Sequence, residues 1–176
     1  MRKAGLKYQK NLVAPLDKAD AVATKTGQSA VLGIYAADLA YAILHKDGQQ
    51  AMATLQAVEK LGNQLELANS FDKAMLDRFK GNLGSEDSLL RFSGEAFRAA
   101  DEYLKQNQRN DASALILAGG WIEALYLTIS DPTALKDQAL VNRIGEQKTS
   151  LNAIVELLQI SDTANAAASM SIAFKE

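Results

Sequence analysis

The sequence predicts an all-α protein on three observations. Two prolines interrupt 176 residues. Ala, Leu, Gln, Lys and Glu, strong intrinsic helix formers, are abundant. Apolar residues recur at helical spacing, whereas no segment alternates with the two-residue period of a strand and no Asn-Gly hairpin turn occurs. A chain of this length suits a single domain over 1–176 with a sizeable core.

Helix-punctuating residues lay out about eight helices. Pro15 and Asp17 suit the first turn of a helix in "APLDKADAVATKTG", closed by Gly27. A second runs over about 29–45, ending at "HKDG", and a third over about 49–68, with Ala51, Leu55, Val58, Leu61 and Leu65 on one stripe. "NSFD" starts a short fourth helix that ends at "KGNLG". Ser85, with acids just behind it, caps a long fifth helix to about 108. "RND" caps a sixth over about 112–129. "SDPT" ends that helix and begins a seventh with Pro132 in its first turn, marked by Leu140, Ile144, Leu151, Val155 and Leu158. Ser161 and Asp162 start an Ala-rich eighth.

Two of these segments echo one another. "GIYAADLAYA" (33–42) and "GGWIEALYLT" (119–128) are apolar runs broken by one acid, with a tyrosine three residues later. Asp38 and Glu123 lie 85 positions apart, as do Tyr41 and Tyr126, and "LGNQ" (61–64) resembles "IGEQ" (144–147) at an offset of 83. The order of these features points to two copies of a four-helix unit, about 14–82 and 84–174, closed into one bundle. A helix apolar on every side is surrounded by other helices, so the two echoed helices belong at the centre, near a pseudo-two-fold axis. Gly33, Gly119 and Gly120 would let backbones approach closely there.

That placement makes the acids the candidate site. A lone buried carboxylate must be hydrogen-bonded, ion-paired, metal-bound or protonated. Tyr35 and Tyr41 share the helix face of Asp38, so this carboxyl looks inward. Gln64 and Gln147 stand beside the apolar stripes of the following helices, so each copy offers an acid, a glutamine and a nearby tyrosine, Tyr41 or Tyr126. Such a set reads as a structural network fixing helix register. Alternatively it forms a ligand site between the copies. Trp121, Tyr126, Tyr35 and Tyr41 pack the core or, alternatively, line an apolar or planar ligand.

Several chemistries are excluded by missing residue types. A net charge of -2 leaves no footprint for nucleic acid, and Arg2, Lys3, Lys7 and Lys10 read as a solvated arm. The absence of cysteine removes disulfides and thiolate chemistry. His45, the single histidine, supplies no Glu-x-x-His di-iron motif and reads as a helix-end charge. "DEYLKQNQRND" lacks calcium-loop spacing, and neither a Gly-x-Ser-x-Gly elbow nor a phosphate loop occurs. No catalytic residue, metal or cofactor is therefore expected. The first thirty residues lack a signal-peptide core, and the apolar stretch 112–129, holding Ser113 and Glu123, reads as a buried core helix.

"GLKYQKN", "LGIYAADLAYA", "LAGGWIEALYL" and "RIGEQK" together resemble a family of exported bacterial lipoproteins of unassigned function, over roughly residues 5–160. The resemblance implies an all-helical envelope domain, held at a membrane through an upstream lipidated cysteine that this sequence does not contain. The positions that match its motifs are Tyr35, Asp38, Tyr41, Trp121, Glu123, Tyr126, Arg143, Glu146 and Gln147. The functional expectation is a non-enzymatic interaction or scaffolding module with a protein or small-molecule partner. The alternative is a small-ligand- or metal-binding protein using Asp38 and Glu123.

Overall fold

A computed structural model describes residues 7–67, 71, 73–131 and 134–161. Among them the fold is all-α, without a strand. A 3-10 turn at Lys10–Leu12 precedes seven α-helices: α1 Lys18–Ala21, α2 Lys25–Leu44, α3 Gly48–Gln64, α4 Lys73–Gly81, α5 Glu86–Gln106, α6 Asn110–Ile129 and α7 Gln138–Ile160. A second 3-10 turn, Ala134–Lys136, leads into α7. The expected eighth helix and Pro132 lie outside the described residues.

The central feature is the pairing of α2 with α6, the most extensive helix contact in the molecule. Both are long and apolar enough to cross a membrane by length and composition; here they pack against each other. A Cβ on Gly33 would stand 2.0 Å from the Ile116 carbonyl oxygen, and one on Gly119 would stand 2.2 Å from that of Ala30. The two backbones therefore touch, as the glycines predict. Lys25 and Ser29 near the start of α2 lie beside Asp111 and Leu115 near the start of α6, and Asp38 meets Glu123 further along both, so the helices run in the same direction. α3 returns antiparallel beside α2, α5 leans on both central helices, and α4 packs on α5. The main core fills the space among α2, α3, α4 and α5, with Tyr35, Leu39, Leu55, Leu61, Phe71 and Phe79 fully enclosed. α7 returns along α6 as a hairpin, with one small cluster shared by the two helices and another between α7 and the second 3-10 turn.

Helix boundaries show where sequence signals misled. Gly27 does not close a helix; α1 ends at Ala21, and Gly27 sits in the first turn of α2, donating its N–H to the Thr24 side chain. Its missing Cβ makes room for Val22, which would lie 2.3 Å away, so the glycine serves packing rather than termination. α3 stops at Gln64, short of 68, because Glu66 turns left-handed (φ 63) while the Leu67 N–H bonds back to the Gly62 carbonyl. Lys46 (φ 61) and Gln108 (φ 58) end α2 and α5 in the same way. Three helix stops thus use ordinary residues where glycine is the usual signal. Ser85 caps α5 as expected, but α6 begins earlier, at Asn110, and Arg109 sends its guanidinium to the Leu65 carbonyl at 2.8 Å. α7 starts beyond "SDPT", where the Asp137 side chain accepts from the N–H groups of Ala139 and Leu140.

Two alanine substitutions separate close approach from helix preference. Gly119→Ala forces a methyl into the Ala30 carbonyl and should cost at least about 3 kcal/mol, the upper part of the overpacking range. Gly94→Ala, in α5 with nothing within 4 Å, should stabilise by up to about 1 kcal/mol. Urea unfolding of the two variants checks both signs.

Candidate functional site

α2 presents Tyr35, Asp38 and Tyr41 on one face at helical spacing, and all three are buried. This face holds the segment from Lys7 to Val22, which carries backbone groups that its two short helical turns leave unpaired. The Ala14 N–H donates to Asp38 Oδ2 at 3.0 Å. Tyr35 donates its hydroxyl to the Pro15 carbonyl at 2.8 Å and accepts from the Ala19 N–H at 3.2 Å. The Tyr41 hydroxyl accepts from the Gln9 N–H at 2.9 Å and donates to the Lys7 carbonyl at 3.3 Å. Tyr8 donates to Asp47 at 3.0 Å, and its ring packs against those of Tyr41 and His45, which also meet each other edge-on. Lys10 pairs with Asp47 at 3.3 Å, and the Lys7 N–H reaches Asp131 at 2.9 Å. The N-terminal segment is a pinned strap, not the solvated arm its lysines suggested. Arg2 and Lys3 lie outside the described residues.

Beneath the strap, Asp38 faces Glu123 of α6. Asp38 is 0% exposed and Glu123 8%. One oxygen of each, Asp38 Oδ1 and Glu123 Oε1, has no hydrogen-bond partner. Burial, followed by the charge of Glu123, pushes the Asp38 carboxyl up to about 8, against the opposing pull of the Ala14 N–H and of Lys18. Burial likewise raises Glu123, opposed by its contact with Asp38 and by Lys18. Two ionised carboxylates cannot bond to each other. A single proton on Asp38 resolves this, since Asp38 can then donate to Glu123.

The remaining candidate residues fall elsewhere. Trp121 donates its indole N–H to Gln147 Oε1 at 3.1 Å across the α6–α7 hairpin, and both line a cavity of about 260 Å³ with Ala124, Leu125, Leu140 and Arg143. Tyr126 is 44% exposed and does not reach a network around Glu123 as Tyr41 does around Asp38. Glu146 is exposed on α7. Gln64 ends α3, where its carbonyl accepts from Lys25. Lys25 stands thirteen residues, roughly 20 Å of helix rise, from Asp38, so no acid–glutamine pair forms in the first half. Sequence reasoning missed the strap: backbone donors leave no signature in side-chain identity. Lys18, exposed in α1 yet close enough to pull on both acids, was also missed.

Among the described residues no three His, Cys, Asp or Glu side chains gather as metal ligands. Compared with protein-family models, curated proteins and solved structures, the chain matches none. The chemistry open to the acid pair is holding one proton, a cation or the strap.

The raised carboxyl pKa fixes the sign of a pH effect. Between the ordinary aspartate value of 3.8 and about 8 the folded chain holds a proton that the unfolded chain has released. Stability is therefore fully present below that window and falls as pH rises through it, by at most about 1.4 kcal/mol per pH unit. Asp38→Asn keeps an acceptor for Ala14 and gives Glu123 a permanent donor. Urea titrations from pH 4 to 9 should show the variant losing most of this slope and exceeding the parent in stability above pH 8.

Proposed function

We propose that the chain is a non-enzymatic helical interaction module of the bacterial cell envelope, formed by two copies of one helical unit closed into a bundle. The meeting of Asp38 with Glu123, 85 positions apart in sequence, supports the duplication. So does the glycine contact at matching levels of α2 and α6. The family resemblance supports the envelope setting.

One observation carries the interaction reading. The polar motif residues of α2 are used internally on the strap, whereas Tyr126, Ile129 and Leu135, at one end of the α6–α7 hairpin, remain 44%, 44% and 68% exposed. Apolar side chains grouped on a polar exterior mark a contact surface for a protein partner presenting its own apolar residues. Photo-crosslinking in the native cell tests it. A crosslinker at 126, 129 or 135 should give one discrete protein adduct, while the exposed α5 positions 91 and 94 should give none. Failure at all three hairpin positions would remove this reading.

The two unpartnered carboxyl oxygens favour a second reading, a cation or small ligand held between Asp38 and Glu123. On that reading a divalent cation raises the melting temperature, and both Asp38→Asn and Glu123→Gln abolish the rise. A melting temperature indifferent to Mg²⁺, Ca²⁺, Mn²⁺ and Zn²⁺ would reject cation binding.

A further inference from the structure

The seam between α6 and α7 is closed at one end by Ala114, Leu115 and Ala118 against Ile154 and Leu158, while at the start of α7 Leu140 and Ile144 pack with Ala134 of the second 3-10 turn. Residues of α6 and α7 between and beside these clusters line the cavity of about 260 Å³. Its apolar wall is Trp121, Ala124, Leu125, Leu140 and Ile144. Its polar groups are already engaged, with one exception. The Trp121 N–H is taken by Gln147, the Gln147 amide donates to the Arg143 carbonyl at 3.3 Å, and the Thr128 hydroxyl donates to the Ala124 carbonyl at 2.7 Å. Arg143, exposed on α7, lines the same cavity and forms no ion pair with a carboxylate among the described residues.

An apolar trough with one uncommitted planar cation at its edge complements one kind of guest. The geometry points to a monoanionic amphiphile, a medium-chain carboxylate, with its chain against Trp121, Leu125 and Ile144 and its head on Arg143. A guanidinium grips a carboxylate through two parallel N–H donors, which fixes the head while the trough takes the tail. Octanoate is the simplest probe of this class, with a carboxylate for Arg143 and a chain for the apolar wall. This site adjoins the exposed hairpin end but includes none of Tyr126, Ile129, Leu135, Asp38 and Glu123, so it stands independently of the protein-partner reading.

Trp121 is the one tryptophan of the chain, so its emission reports on this cavity directly. Octanoate, added to the full chain below its micellar range, should change that emission saturably. Octan-1-ol and octylamine should bind at least tenfold more weakly. Arg143→Gln should bring octanoate down to the level of octanol, while Arg98→Gln, an exposed arginine of α5, should bind octanoate as the parent does. Ala124→Leu, which fills the trough, should weaken octanoate and octanol alike, with circular dichroism and melting verifying that each variant is folded. A non-saturating response, equal binding of octanoate and octylamine, or undiminished binding by folded Arg143→Gln would overturn the assignment.

Discussion

The touching backbones of α2 and α6 constrain everything else. With no Cβ at Gly33 or Gly119, the helices come together along their carbonyls. A side chain five residues beyond Gly33 and one four residues beyond Gly119 are then carried to the same level of the interface. Those side chains are Asp38 and Glu123. Their apposition follows from the depth of the glycine contact, because helices held apart by ordinary side chains would leave room for water between the acids. The fold accepts a strained electrostatic pair as the consequence of dense central packing.

The strap answers half of that difficulty. Buried backbone N–H groups need partners, and the segment before α2 supplies several that no helix ladder satisfies. Tyr35, Asp38 and Tyr41 receive them in reverse sequence order, because the strap runs antiparallel to α2: Ala19, Ala14 and Gln9 meet three side chains spaced one turn apart. The same hydrogen bond that holds Ala14 keeps one Asp38 oxygen satisfied, leaving the other toward Glu123. A proton completes the arrangement. The carboxyl is thus at once a tether for the chain and the partner of a second acid, and neither role survives without the other's geometry.

How much of this was legible depends on what kind of atom carries the information. The two largely apolar helices, their glycine contact and the inward direction of Asp38 were readable because apolar patterning and a missing Cβ are written in side-chain identity. The strap was not, since its contacts belong to the backbone of Gln9, Ala14 and Ala19, and any residue has a backbone N–H. Helix ends at Lys46, Glu66 and Gln108 were missed for a related reason: left-handed caps there rest on the bonds of the following residue, not on glycine. Gln64 was paired with the wrong neighbourhood. Sequence spacing placed it on the helix after Asp38, whereas the antiparallel return of α3 carries it to the opposite end of α2.

On the proposed duplication, the two halves show one motif in two states. Tyr41 is 2% exposed beneath the strap; Tyr126, its counterpart, is 44% exposed, with no such strap over it among the described residues. The chain has one such strap among the described residues, and it is committed to α2, with its beginning tied to Asp131 beyond the end of α6. The first half is sealed by residues of its own chain. What remains open on the second half is the hairpin end and the trough beside Trp121, where α7 covers α6 incompletely. On the proposed reading, the surface left for a partner is the α6–α7 side, since the strap already covers the polar face of α2.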